Sequence, residues 1–335
     1  MKTFAEGVLK MRFSGMAIGV FGALAALALP AAAQTRDAYP TKPIRAIVPF
    51  VPGGPTDIMA RALAPRLTAA LGKQIIIDNR AGAGGLIAAT MAKDAPPDGY
   101  TIFFGTISTL ATNVATKANL PYDPLRDYAP ITLTSSNPYF MVAHPSVPAQ
   151  NTREFIALAK SQPGKLNFAS SGTGGGSHLA IELFRIMAQI DMVHVPYKGS
   201  GQSVTELLAG QVQMTFIQPS ITIGHAKAGK LRVLGVTSKT RLVSWKDAAP
   251  IAEVVPGYES TSWQGVVAPA KTPKPIIDRL HAEIVKALNT PEMNSRLTAE
   301  GSEIGGMPPE AFGRFIREEI AKWTKVVKQA KIQVE

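Results

Sequence analysis

Ile44-Arg45-Ala46-Ile47-Val48-Pro49-Phe50-Val51-Pro52-Gly53-Gly54-Pro55-Thr56-Asp57 passes from an apolar, β-branched run through a glycine pair into a helical pattern over residues 56–71. A strand that ends in glycines and reopens as a helix is the half-unit of an α/β layer structure. The same succession recurs along the chain. Strands are predicted over residues 44–50, 74–78, 100–105, 139–143, 166–169, 193–196, 212–217, 231–237 and 263–268. Helices are predicted over 56–71, 152–161, 177–189, 203–209, 275–288 and 309–330. This alternation predicts α/β layers with largely parallel sheets. Pro65 is expected to kink or shorten the first helix. In the last, Phe312, Phe315, Ile316, Ile320, Trp323 and Val327 fall largely on one face, which marks a packing helix.

Composition narrows the function classes. The 335 residues include 46% apolar residues and 18% charged ones, which suits a folded chain of roughly two domains at about 150 residues each. The absence of cysteine removes disulfide scaffolds, thiol catalysis, thiolate zinc sites and iron–sulfur clusters. His144, His178, His194, His225 and His281 never fall at metal-ligating spacing, so neither metal nor cofactor is expected. The formal charge is +11, but the Lys and Arg residues are spread singly, unlike a nucleic-acid surface. The summed field suits anionic solutes instead.

Residues 1–33 read as a cleaved secretory signal: Lys2, Lys10 and Arg12, an apolar run from Met16 to Leu29, then Pro30-Ala31-Ala32-Ala33 as the cleavage site. The run is too short to span a bilayer comfortably. Met11-Arg12 would make the more typical start. The expected mature protein is exported, soluble and basic, with a formal charge of +9.

Four segments look like more than turns. In the loop at 52–57 the glycines admit a ligand to the backbone, Thr56 or Asp57 can cap the helix, and free N–H groups favour an anion. Ser170-Ser171-Gly172-Thr173-Gly174-Gly175-Gly176-Ser177-His178 is neither a dinucleotide fingerprint, nor a Walker loop, nor a nucleophile elbow. Its glycines and hydroxyls suit a cradle for a carboxylate or phosphate. Asn79-Arg80-Ala81-Gly82-Ala83-Gly84-Gly85 follows the second strand and falls on the same rim as the first loop. His194-Val195-Pro196-Tyr197-Lys198-Gly199 offers a phenol and a charge. An exported hydrolase using Ser177 and His178 is disfavoured, because neighbours on one helical turn point about 100° apart.

Several motifs taken together are similar to the Bug proteins, periplasmic solute receptors of the tripartite tricarboxylate transporter family. They include Tyr39-Pro40-x-Lys42-Pro43-Ile44-Arg45, the loop at 52–57, Asn79-Arg80-x-Gly82-Ala83-Gly84-Gly85, Pro97-Asp98-Gly99-Tyr100-Thr101, His178-Leu179-Ala180-x-Glu182-Leu183-Phe184, His194-Val195-Pro196-Tyr197-Lys198-Gly199, Gly210-Gln211-Val212 and Trp263-x-Gly265. The ordered match covers nearly all of residues 39–330. The resemblance implies a two-domain periplasmic-binding-protein fold of the Venus-flytrap type II, with two chain crossings. The first domain would be 34–137 plus 261–335 and the second 138–260. It implies a small carboxylate, an aromatic one or a dicarboxylate among the options, held by Gly53, Gly54, Thr56, Asp57, Thr106 and Ser108 on one wall. Ser171, Thr173, Gly174 and Tyr197 would form the other. It further implies delivery of solute to membrane permease subunits; a ligand-loaded sensor docking on a membrane kinase is the alternative, and a monomer is the default expectation. Departures from the family pattern are Gln213 where Asp is common, Gly175 and Gly176 where hydroxyls are common, and Ile217 where a small or acidic residue is common. If Gln213 or Ile217 faces the cleft, ammonium-bearing ligands are disfavoured.

Overall fold

The computed structural model describes residues 39–332 apart from positions 244 and 300, so the signal-sequence expectation for 1–33 lies outside the described residues. In chain order the elements begin with β1 (Ile44–Val48), α1 (Pro55–Leu71), β2 (Ile75–Asn79), α2 (Leu86–Lys93) and β3 (Thr101–Thr106). A wide helical turn, Ser108–Thr112, then leads into α3 (Asn113–Thr116), β4 (Tyr128–Pro138) and β5 (Phe140–Ala143). Next come α4 (Thr152–Ser161), β6 (Asn167–Ser170), α5 (Gly176–Ala188), β7 (Val193–Pro196), α6 (Ser200–Leu208), β8 (Met214–Ile217), α7 (Pro219–Lys227) and β9 (Arg232–Val236). The chain closes with β10 (Thr261–Pro269), α8 (Lys274–Leu288), α9 (Pro291–Ala299), β11 (Glu303–Ile304) and α10 (Pro309–Gln329).

Two sheets result. One is ordered β11-β4-β10-β3-β1-β2, the other β7-β6-β8-β5-β9. Side chains alternate along β1: Ile44, Ala46 and Val48 enter the core under α1 and α8, while Ile47 enters the core under α2 and α10. The second sheet packs Met141, Phe168 and Phe216 against Phe155 of α4 and Phe184 of α5. Its other face takes Phe140, Val142 and Ala169 with Leu207 of α6.

The sheets are mixed rather than largely parallel, which corrects the sequence expectation. β1 pairs parallel with β2 and β3, and β6 with β7 and β8, but β10 is antiparallel to both β3 and β4, and β5 to both β8 and β9. The reason is the passage between sheets. β4 runs out of the first sheet into β5 of the second, and β10 returns from the second, so the two lie side by side in opposite directions. β4 escaped the sequence reading because its hydroxyl-rich stretch Thr132 to Asn137 resembles a loop. Thr132 and Thr134 are fully buried there, donating to the carbonyls of Met307 and Gln264. Pro65 does not shorten α1, which runs on to Leu71 and ends at Gly72. Pro65 is exposed, and Met59, Leu63, Leu67 and Leu71 keep the opposite face in the core.

The last helix fastens the returning strand. Glu319 is buried on α10 and accepts from the indole N–H of Trp263 on β10 at 2.8 Å and of Trp323 at 2.9 Å, while Lys322 pairs with it. Both donors are thus satisfied by a charged acceptor inside the core.

Candidate functional site

Four helical segments start at the carboxyl ends of β1, β3, β6 and β8, and all four starts lie along the space between the sheets. α1 begins after Gly54 with Pro55 at its first position, the wide turn begins at Ser108, α5 begins after Gly175, and α7 begins after Gln218 with Pro219. None of these starts carries a side-chain cap, so no capping side chain takes the first free N–H groups of these segments. A cavity of about 460 Å³ lies among α1, the end of β3, the passing strands β4 and β10, α7 and α9. A second cavity of about 200 Å³ adjoins it, the two sharing Phe50 and Ser108, and reaches the glycine-rich loop before α5.

The floor of the large cavity is polar by register. Ser135, Gln264 and Thr106 stand in one row across β4, β10 and β3, and Asn137 faces Ser262 one step along. Gln264 donates through Nε2 to Ser135 Oγ at 3.0 Å. The Gln264 Oε1, Thr106 Oγ1 and Asn137 Oδ1 atoms are buried and have no hydrogen-bond partner among the described residues.

The residues expected from the sequence divide three ways. Thr56, Thr106 and Ser108 line the large cavity; Thr173 and Gly174 line the small one, where Ser108 also appears. Gly53, Gly54, Asp57, Ser171 and Tyr197 line neither. Gly53 donates its N–H to Asp57 Oδ2 at 2.8 Å, and the Asp57 carboxylate also accepts from Arg61 Nε at 2.9 Å and Asn79 Nδ2 at 3.0 Å. Burial pushes that carboxyl up, but the hydrogen bonds from Arg61, Gly53 and Asn79 outweigh it and hold it below the ordinary carboxylate range. Asp57 therefore ties the loop down. Ser171 is hydrogen bonded to Ser177 through its N–H and its hydroxyl, both at 3.0 Å. Tyr197 packs against the outer core of the second sheet.

The cavity also draws on residues outside the glycine-rich loops. Ser135, Asn137, Ser262 and Gln264 come from the passing strands, Gln218 and Ser220 from the start of α7, and Asn113 and Thr116 from α3. Gln213 lines neither cavity; it accepts from the Asn167 N–H at 2.8 Å, at the end of β8 away from the cleft. Ile217 is buried opposite Phe140. The ligand preference expected from those two positions thus has no basis at the cavity wall. Gly176 has a packing reason instead: a Cβ there would sit 2.6 Å from the Tyr139 hydroxyl.

Behind the glycine-rich loop, the His178 and His194 rings stack with centroids 3.8 Å apart. His178 Nδ1 accepts from the Gly174 N–H at 3.0 Å, and His194 Nε2 lies 2.7 Å from Ser170 Oγ. Ser177 Oγ and His178 Nδ1 are thus spent on the loop rather than on one another, while His178 Nε2 faces Glu182 Oε1 at 3.7 Å. Burial, then the facing His194 and Arg185, lowers the His178 pKa to about 3; burial, then Arg185, lowers that of His194 to about 4. Both are neutral in the folded protein near pH 7. Unfolded histidines take up protons below about pH 6.5, where the folded ones still refuse them, so stability is full above that pH and falls as pH falls toward 4. His178 alone should contribute a loss of roughly 3 kcal/mol over that window. Glu182, pushed up by burial against the pull of Arg185, acts in the opposite sense. The histidine slope begins at the ordinary histidine pKa of about 6.5 and is read from there downward. His178→Asn, which keeps an acceptor for Gly174 without a titrating ring, should halve the pH slope of the urea midpoint; an unchanged slope would refute this.

Among the described residues no group of three or more His, Asp or Glu could hold a metal ion, and no helix is long and apolar enough to cross a membrane. Comparison with known proteins gives a consistent result. The family model described as "Tripartite tricarboxylate transporter family receptor" matches residues 59–332. The protein BugT of Bordetella pertussis is 34% identical over 314 residues, covering 93% of this chain and 95% of BugT. Among solved structures, R. palustris Rpa4515 with adipate is 35% identical, with a TM-score of 0.75 over 88% of this chain and 99% of that one. MatC from Rhodopseudomonas palustris with bound malate is 31% identical, with a TM-score of 0.71 over 86% of this chain and 100% of that one. The chain belongs to the family of tripartite tricarboxylate transporter receptors.

Proposed function

We propose that the protein is a periplasmic receptor that captures a small carboxylate between two lobes, residues 34–137 plus 261–335 and residues 138–260, and presents it to a membrane permease of the tripartite tricarboxylate type. The observation that carries this reading is the cavity of about 460 Å³ at the carboxyl ends of β1, β3 and β8, with uncapped helix starts around it and a row of hydroxyl and amide groups as its floor. Thr56, Thr106 and Ser108 are the contacts from the first lobe, with Ser135, Ser262 and Gln264 from the passing strands. Thr173 and Gly174 reach the ligand's far end through the smaller cavity, while Gly53, Gly54, Asp57 and Ser171 shape the loops. Adipate and malate in the two relatives are small carboxylates, which supports a small carboxylate here. Residues 1–33 direct export and are removed after Ala33. A ligand that contacts both lobes favours the closed arrangement, because only that state makes both sets of contacts.

The test is thermal unfolding of residues 34–335, refolded from denaturant to strip carried-over ligand, against a panel of carboxylates and amino acids. A ligand binding only the folded state raises the melting temperature with its concentration. One or a few carboxylates should do so. No shift with any of them would count against the reading.

A further inference from the structure

The large cavity is two-sided. Ile58, Met59, Met293 and Leu297 from α1 and α9, with Ile221 of α7, form an apolar wall, and Ser135, Gln264 and Thr106 form the opposing polar row. Among the described residues lining it, Arg296 is the one that carries a charge. Neither a second and third carboxylate nor an ammonium group would meet a buried partner of opposite charge, and an unpaired buried charge is costly. The floor asks for something different. Thr106 Oγ1 and Gln264 Oε1 lie on residues more than nine-tenths buried, and together with Asn137 Oδ1 they have no partner among the described residues. Two of these three are amide oxygens, which only accept hydrogen bonds, and the third, a hydroxyl, can accept as well. A solute that satisfies them brings its own uncharged donor.

Resting on the receptor reading of this site, we infer that the solute is a monocarboxylate with an apolar body and an uncharged hydrogen-bond donor such as a hydroxyl. Its carboxylate lies toward the uncapped helix starts and Ser108, its body lies against Ile58, Met59, Met293 and Leu297, and its donor points to the Thr106–Gln264 row. A polar floor of this kind discriminates between ligands, because an analogue that lacks the donor leaves the buried oxygens unpaired.

The experiment compares matched pairs on the refolded protein by titration calorimetry: 4-hydroxybenzoate against benzoate, and 6-hydroxyhexanoate against hexanoate, with adipate, glutamate and citrate alongside. The hydroxylated member of at least one pair should bind about tenfold more tightly than its partner, and glutamate and citrate should bind more weakly than either. Thr106→Val and Gln264→Leu are each measured with both members of the preferred pair, and each should reduce that ratio to within about twofold. Two variants are used so that a failure of one to fold leaves the other informative. If carboxylates bind but hydroxylated and deoxy members bind alike, or citrate or glutamate binds best, the inference is overturned while the receptor reading stands. If no carboxylate of the panel binds, the receptor reading fails and the inference fails with it.

Discussion

Ser108→Asp is expected to weaken carboxylate capture at least about a hundredfold while leaving the ligand-free protein as stable as its parent. Ser108 lines both cavities and opens the wide turn after β3. At that position a carboxylate side chain faces the site of the solute's own carboxylate. Two like charges about 4 Å apart repel by roughly 4 kcal/mol at the effective dielectric of a partly solvated site, more than a hundredfold loss requires. The fold tolerates the change, because an acidic residue in the first turn of a helical segment interacts favourably with its N–H groups. Ser108→Asn, isosteric and neutral, should retain binding within about tenfold. Calorimetry with any carboxylate that stabilises the parent decides the matter. An Asp variant that still binds within tenfold would move the anion site away from this turn.

Gly265→Ala should cost the protein about 3 to 5 kcal/mol of stability. Gly265 lies on β10 beside Gln264, where the pairing with β4 changes register. A Cβ there would stand 2.6 Å from the Thr132 carbonyl oxygen and 2.4 Å from the ring of Phe312, which is fully buried on α10. The Phe312 ring has little room to yield, and the Thr132 carbonyl belongs to the backbone of the adjoining strand. Relief therefore requires β10 to part from β4, which would break the row of Ser135, Gln264 and Thr106 as well. A urea midpoint within the range of an ordinary surface substitution would show that the two strands can separate without cost. Solubility and ligand-induced stabilisation should fall together with it.

The pattern of short apolar runs and helices was legible along most of the chain because it depends on local periodicity. β1, α4, α5, α8 and α10 lie within about a residue or two of where spacing and flanking residues put them. β4 and α7 were not legible. β4 is rich in hydroxyls that serve as turn signals elsewhere, and α7, Pro-Ser-Ile-Thr-Ile-Gly-His-Ala-Lys over 219–227, carries β-branched residues with little segregation into faces. Both are held by tertiary packing rather than by their own preference. Their absence from the sequence reading is also why these cavity residues were missed, since Ser135 and Asn137 stand on β4, Ser220 on α7 and Gln218 just before it.

Sequence alone determined the α/β class, the family through its ordered motifs, and the loops at which strands hand over to helices, because each of these is written in contiguous residues. The tertiary structure decided which atoms of those loops face the cavity. Asp57 and Gly53, within three residues of Thr56 in the chain, are bound to one another, whereas Thr106, Gln264 and Ser135 meet from three strands separated by more than a hundred residues of chain at the widest. Hydrogen-bond partners and strand register are set by the folded geometry, and a linear pattern carries neither.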